Sequence, residues 1–232
     1  MMGLKLSIIV STYNEAQNIP ELFKRIEASL KGIPHKVIVV DDNSPDGTAS
    51  VAQALGKHGN VKVYRSNRRM GLSSAILDGV KLAESDLIAV MDADLQHPPE
   101  LLPRMLERIS EGCDIVIASR YVKGGQVTGW SLIRRAISRG AIILSHLLLS
   151  KTRSVRDPVS GFFLVKKEII RNLKAVNPSG FKILLEILAR ANYGSIAEEP
   201  YVFEARKAGK SKLNLKEIAN YIPFLLKLRL RS

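Results

Sequence analysis

Two acidic pairs each close a run of apolar residues. Asp41 and Asp42 follow Val37-Ile38-Val39-Val40, and Asp92 and Asp94 follow Leu87-Ile88-Ala89-Val90-Met91. Residues two apart on an extended chain project to the same side, so Asp92, Asp94 and Gln96 present oxygen atoms together. Hard divalent cations such as Mg²⁺ or Mn²⁺ take oxygen ligands and keep positions for substrate phosphates. Two carboxylates at the mouth of a buried strand repel each other unless a cation or a hydrogen-bond network offsets the repulsion. The plainer reading is that these aspartates cap turns and helix starts, since Pro98-Pro99 opens a helix here. That suffices for either residue alone, whereas the pair together with Gln96 favours a metal beside a phosphate-bearing substrate.

Other chemistries fit less well. Haloacid-dehalogenase-type phosphatases also carry Asp-x-Asp after an apolar strand, but at the first strand; here it closes the fourth and runs into Leu95-Gln96-His97. A dinucleotide site needs glycines after the first strand so that backbone approaches a pyrophosphate, and Ser11-Thr12-Tyr13-Asn14-Glu15 has none. Gly209-Lys210-Ser211 mimics the tail of a P-loop, but Glu204 stands where the leading glycine belongs. The four histidines are scattered, and His97 is assigned a positional role. Asp157, just before Pro158, is expected to start a turn or helix. The lone Cys113 excludes an internal disulfide and a cysteine-cluster metal site.

The elements that must carry these residues follow from periodicity. Strands are expected at Leu6–Ser11, Lys36–Val40, Val61–Arg65, Leu87–Met91 and Asp114–Ala118. Helical patterns lie between them at Ile19–Leu30, Thr48–His58, Ser73–Ala83 and Glu100–Ser110. Continuously apolar strands alternating with amphipathic helices predict an α/β fold with an open, mostly parallel sheet. Ligands of such sheets bind beyond the carboxyl ends of the strands, where both acidic pairs stand. After residue 120 the pattern changes to a Gly-rich loop, Lys123-Gly124-Gly125, and a long helix from about Leu132 to Leu148. A short strand Phe162–Val165, a helix from about Phe181 to Ala191, a strand near Ile196–Phe203 and a C-terminal amphipathic helix complete the chain.

The 232 residues carry a net charge of +13, and two stretches hold all of it. Segment 130–156 has six basic residues and no acidic one; segment 205–232 has eight and one. On the long helix, Arg134 and Ser138 are four apart, as are Arg135 and Arg139, while Leu132, Ile133, Ile137, Ile143, Leu144 and Leu147 form another flank. A basic amphipathic helix of this kind suits an anionic membrane surface and a bound phosphate. The C-terminal segment repeats the theme, with Pro223 expected to bend or end its helix. Aromatic residues are only 6%, and no nucleic-acid-binding signature accompanies the basic residues, so nucleic acid is disfavoured. No signal-peptide pattern and no apolar run of bilayer length is present, which predicts a peripheral protein at the cytoplasmic face of a membrane.

Taken in order, these pieces resemble family-2 glycosyltransferases of the GT-A fold. The resemblance rests on Ser11-Thr12-Tyr13-Asn14-Glu15, Val39-Val40-Asp41-Asp42-Asn43-Ser44-Pro45-Asp46-Gly47 and Met91-Asp92-Ala93-Asp94-Leu95-Gln96-His97-Pro98-Pro99. Ser119-Arg120-Tyr121, Asp157-Pro158-Val159-Ser160-Gly161-Phe162-Phe163, Gly180-Phe181-Lys182 and Gly209-Lys210-Ser211-Lys212-Leu213 are similar to the dolichol-phosphate mannose synthases within it. The resemblance implies a catalytic domain over 1–212 and a basic helix over 213–232. It implies a nucleoside pocket from Ser11, Tyr13, Glu15, Val40 and Asp42, and a metal and diphosphate site from Asp92, Ala93, Asp94 and Gln96. Arg120, Lys182, Arg206 and Lys212 are expected at the nucleotide sugar, with Asp94, Arg120 and Lys182 central to catalysis. Arg134, Ser138 and Arg139 are expected, with Arg120, at the acceptor phosphate. The implied substrates are GDP-mannose and dolichyl or another polyprenyl phosphate, the cofactor Mg²⁺ or Mn²⁺, and a further partner a separate membrane-anchoring subunit. A UDP-sugar donor stays open as the alternative. The chain departs from the family at Ser11 (usually Pro), Ala118 (usually Gly) and Arg206-Lys207-Ala208-Gly209 (usually Arg-x-Arg-Gly).

Overall fold

The computed structural model describes residues 5–56, 59–67, 71–173, 182–204 and 215–231, the side chains of 215–218 excepted. Four strands and three helices alternate first: β1 Leu6–Thr12, α1 Ile19–Ser29, β2 His35–Asp41, α2 Thr48–Leu55, β3 Val61–Arg65, α3 Leu72–Leu82 and β4 Leu87–Asp92. A short 3₁₀ turn then leads into α4 Leu102–Ser110, followed by β5 Ile115–Ser119, β6 Gln126–Val127, α5 Leu132–Leu148, β7 Phe163–Lys166 and α6 Lys167–Arg171. The chain ends with α7 Ile183–Arg190, β8 Ile196–Pro200, β9 Val202–Phe203 and α8 Leu215–Arg229.

Seven strands form one sheet in the order β3-β2-β1-β4-β7-β5-β8. All neighbours are parallel except β7, which runs antiparallel between β4 and β5. The chain winds outward from β1 through β2 and β3, then returns to place β4 on the other side of β1. That reversal makes the crevice between β1 and its neighbours a topological switch point. The apolar runs are covered on both faces. Ile8, Val10, Val39 and Ala89 pack with α1 and α4 residues such as Leu22, Ile26 and Met105. On the other face Ile9, Ile38, Ile88 and Val90 meet Ile76, Val80, Ile169 and Ile187 from α3, α6 and α7.

The C-terminal half departs from expectation in instructive ways. The strand expected near Ile196–Phe203 divides at Pro200, and its second part pairs with β6, which directly follows the Gly-rich loop and was not expected. A proline within a strand lacks the amide hydrogen that a ladder needs, which marks the crossing from one sheet to the other. The helix containing Pro223 continues through it to Arg229. Burial of Tyr221, Phe224, Leu225 and Leu228 against Ile142, Leu185 and Ala189 offsets the lost backbone bond. The hydroxyl of Tyr221 donates to the Ala141 carbonyl at 3.0 Å, tying α8 to α5. These two helices also expose Leu132 (81%), Ile133 (74%), Ile143, Leu147, Ile222 and Leu226, as does Leu230 (87%) just past α8. Among the described residues, no helix is long and apolar enough to cross a membrane.

Gly79 sets how closely α3 lies on the sheet. A Cβ there would come within 2.6 Å of Ile9 Cγ2. Gly79→Ala therefore overpacks the core and lowers unfolding stability by about 1–3 kcal/mol, despite the better helix propensity of alanine. Urea denaturation checks this, and a more stable variant would contradict the close approach.

Candidate active site

The carboxyl ends of β1, β2 and β4 open into one cavity of about 690 Å³. Each of these strands is followed by a residue in the left-handed region: Asn14 (φ 59°), Asn43 (φ 59°) and Leu95 (φ 62°). Asparagine tolerates that conformation, whereas for leucine it is strained. Packing of the Leu95 side chain against the core offsets the strain. On β2 the adjacent aspartates have separate roles. Asp41 is fully buried and accepts hydrogen bonds from Thr12 Oγ1 at 3.0 Å and the Ser44 amide at 2.9 Å, which locks the first two loops together. Asp42 reaches the cavity and accepts from the Gly71 amide at 3.2 Å.

Asp92, Ala93, Asp94 and Gln96 all line the cavity. The left-handed turn at Leu95 brings the Gln96 amide to Asp94 Oδ1 at 3.2 Å. The side-chain nitrogen of Gln96 donates to the Glu204 carbonyl, holding the end of β9 beside the carboxylates. Beneath them lies His97, buried and stacked on Phe162 at 5.4 Å, with Tyr201 and Phe203 edge-on. The Asp92 amide donates to His97 Nδ1 at 2.9 Å, which requires the neutral ring with its proton on Nε2. Burial pushes the imidazole pKa below its ordinary value, against the pull of Asp92 and Asp94. Gly161 makes room for this arrangement, because a Cβ there would meet His97 Cε1 at 3.2 Å and Asp92 Oδ2 at 3.5 Å. Among the described residues, no three His, Cys, Asp or Glu side chains are grouped to hold a metal ion unaided. Two carboxylates and an amide instead suit a hard cation whose remaining positions go to water and substrate phosphate.

The opposite wall is cationic and aromatic. Arg120, at the end of β5, makes a bidentate pair with Asp157, Nε and Nη2 each at 2.7 Å, and its backbone amide adds a third bond at 3.0 Å. Asp157 is 0% exposed and the Arg120 side chain 9%. Burial alone would lower the guanidinium pKa, but the Asp157 charge and hydrogen bonds hold it above its ordinary value. Asp157 starts the expected turn, its carbonyl accepting from the Ser160 amide at 3.2 Å, and its carboxylate is in addition the buried counter-ion of Arg120. Trp130 links two arginines: Arg134 stacks on its ring at 4.2 Å and Arg120 lies 5.7 Å from it. Ser138, one turn beyond Arg134, receives a hydrogen bond from the Tyr121 hydroxyl at 2.8 Å. Lys182 donates to the Val159 carbonyl at 3.1 Å from the rim of α7.

Residues 7–174 match the family model described as glycosyl transferase family 2. The chain belongs to that family. Among curated members it is 48% identical over 225 residues to the dolichol-phosphate mannosyltransferase of Pyrococcus furiosus, covering 97% of this chain and 64% of that one. It is 36% identical over 239 residues to the enzyme of the same name from Saccharomyces cerevisiae, covering 98% and 88%. The chain thus spans just under two thirds of the Pyrococcus relative and most of the yeast one. Among solved structures, the fold matches mannosyl-3-phosphoglycerate synthase from Rubrobacter xylanophilus at TM-score 0.75, with 20% identity over 98% of this chain and 73% of that one. It also matches glucosyl-3-phosphoglycerate synthase from Mycobacterium tuberculosis, solved with Mn²⁺, UDP-glucose and phosphoglyceric acid, at TM-score 0.71 and 20% identity, covering 98% and 80%. These likenesses concern architecture, which is the GT-A arrangement.

For a family-2 member the expected residues are well gathered. Ser11, Tyr13, Glu15, Asp42, Asp92, Ala93, Asp94, Gln96, Arg120, Arg134, Ser138 and Lys182 line the same cavity. Val40 and Arg139 do not. Strand alternation turns Val40 into the core under α3, and Arg139, one residue past Ser138, is rotated by about 100° to the exposed side of α5. Arg206 and Lys212 fall outside the described residues. Sequence reasoning missed Trp130, Tyr121 and Asp157. The Trp130–Arg134 spacing of four offered a signal for the stacked pair; the motif around Asp157 marks the residue but not its partner, which is 37 residues away.

Two outcomes follow from this geometry. Asp157→Ala leaves a buried cation without its counter-charge and lowers stability by about 3–5 kcal/mol in denaturant titration; a near-neutral effect would refute the paired arrangement. The His97 ring stays neutral as pH falls through the ordinary histidine range near 6.5, so its NMR signals titrate at lower pH than those of a free histidine. Because the unfolded chain takes up that proton first, His97 makes stability decline as pH drops below about 6.5. Titration at or above the free value would contradict its burial.

Proposed function

We propose that this protein transfers mannose from GDP-mannose to dolichyl or another polyprenyl phosphate, releasing GDP with inversion at the anomeric carbon. The observation that carries this reading is the continuity of the cavity. It runs from the carboxylates after β4 to a helix, α5, that offers the Arg134 cation, the Ser138 hydroxyl and apolar side chains. A nucleotide sugar needs the first feature and a lipid phosphate the second. The names of the Pyrococcus and yeast relatives support the same pairing.

On this reading Ser11, Tyr13, Glu15 and Asp42 surround the nucleoside. Asp92, Asp94 and Gln96 would hold Mg²⁺ or Mn²⁺, and the Mn²⁺ and UDP-glucose of the Mycobacterium structure support a divalent ion in such a fold. When bound, that ion supplies positive charge against the diphosphate leaving group. Arg120 and Lys182 add charge-assisted hydrogen bonds to phosphate oxygens. Arg134 and Ser138 orient the acceptor phosphate. One of its oxygens attacks C1 of the sugar, the bond from C1 to the β-phosphate oxygen breaks, and the electron pair leaves with GDP. A phosphomonoester has a second pKa near 6 and is largely ionised at neutral pH, so the attack requires no protein base. Asp157 is committed to Arg120, consistent with that.

The exposed leucines and isoleucines of α5 and α8 flank Arg135, Arg139, Lys227 and Arg229. This apolar and basic surface suits peripheral attachment to an anionic leaflet, where the acceptor resides.

The test supplies labelled GDP-mannose, UDP-glucose or UDP-GlcNAc with polyprenyl phosphate, with Mn²⁺ or with EDTA. Label becomes chloroform-soluble only from GDP-mannose and only without chelator. Equal labelling from a UDP-sugar overturns the donor, and undiminished activity in EDTA overturns the metal. Asp94→Asn lowers the rate by about 100-fold or more with an unchanged circular dichroism spectrum. Arg134→Ala raises KM for the lipid while leaving KM for the donor in place; a rise in donor KM alone would displace Arg134 from the acceptor site.

A further inference from the structure

Gly140 sits in the interior of the 17-residue helix α5, where glycine is destabilising relative to alanine. Two other glycines have packing reasons to lack a side chain. A Cβ at Gly79 would strike Ile9, and one at Gly125 would lie 2.6 Å from the Ser119 carbonyl. At Gly140 a Cβ would meet nothing within 4 Å, and no left-handed backbone calls for glycine. Neither packing nor conformation explains the residue. Its position does, because Gly140 lines the cavity beside Ile137 and Leu144, at the edge of the face that Ala141 continues.

We propose that Gly140 is a notch in α5 that admits the hydrocarbon chain of a prenyl phosphate, making it a specificity-determining residue for the lipid acceptor. This rests on the acceptor assigned above. Ser138 and Arg134 precede Gly140 by two and six residues, about 3 and 9 Å along the helix axis. At about 100° per residue Gly140 lies on the far side of the helix from Ser138, so a chain leaving a phosphate held by those two residues crosses Ala141 and Ile137 before it meets Gly140. Ile76 from α3 and Ile183 from α7 line the same cavity, so the chain enters a trough with apolar walls. Isoprene units carry methyl branches, which need the width that a missing side chain provides.

Trp130 is the only tryptophan of the chain and lines this cavity, so its fluorescence reports acceptor binding directly. Wild type, Gly140→Ala and Gly140→Leu are titrated as full chains with a detergent-solubilised polyprenyl phosphate and with butyl phosphate, whose chain ends before the trough. Gly140→Leu weakens polyprenyl phosphate at least tenfold while butyl phosphate and GDP–Mn²⁺ bind as in wild type. Gly140→Ala raises Tm yet weakens the polyprenyl ligand severalfold, which keeps the test decisive should the leucine variant not fold. An unchanged Kd for polyprenyl phosphate, or equal weakening of butyl phosphate or GDP–Mn²⁺, overturns the notch. Wild type that binds polyprenyl phosphate but transfers no mannose would sink the donor reading alone; wild type that binds no polyprenyl phosphate would sink both.

Discussion

The buried pairing of Arg120 with Asp157 is the constraint on which the site depends. A guanidinium this enclosed is tolerable only beside an equally fixed carboxylate, and the bidentate geometry leaves neither group freedom to rotate. The pair joins the end of β5 to the loop that precedes β7, and it stands against Trp130, Tyr121 and Phe203. Across the cavity, Asp92 and Asp94 carry opposite charge on a platform built from His97 and Phe162. The cavity is therefore polarised before any ligand enters, with its charges held by packing and their reorganisation largely completed during folding.

Much of this was legible in the sequence, for reasons that can be named. Runs such as Val37–Val40 and Leu87–Met91 admit little but buried strands, so the parallel half of the sheet and both acidic pairs at its edge could be read directly. The antiparallel β7 and the β6–β9 ribbon were less visible. Their partners lie far away in sequence, and Pro200 disguises two strands as one. The same distance hid Asp157. Its local setting, a residue before proline, speaks only of a turn, while its partner is fixed by the sheet. Val40 shows the converse, a residue in a motif whose side chain strand alternation sends inward.

Helix α5 shows how one element serves two environments. Arg134, Ser138 and Ala141 turn toward the cavity, Gly140 lines its edge, Leu132, Ile133, Ile143 and Leu147 face outward, and Ile142 is buried against α8. No single stripe describes it, so periodicity predicted the helix better than the assignment of its faces. The hydrogen bond from Tyr221 to the Ala141 carbonyl then links the outer surface to the wall of the cavity.

The sheet order also bears on biosynthesis. Every ladder bond on the outer side of β4 is made with β7, which begins about seventy residues after β4 ends. During translation β4 therefore leaves the ribosome with an open, strongly apolar edge, and β5, although it emerges sooner, does not close it. For the interval in which that edge waits, the nascent chain is a template for wrong pairing and a natural client for chaperones.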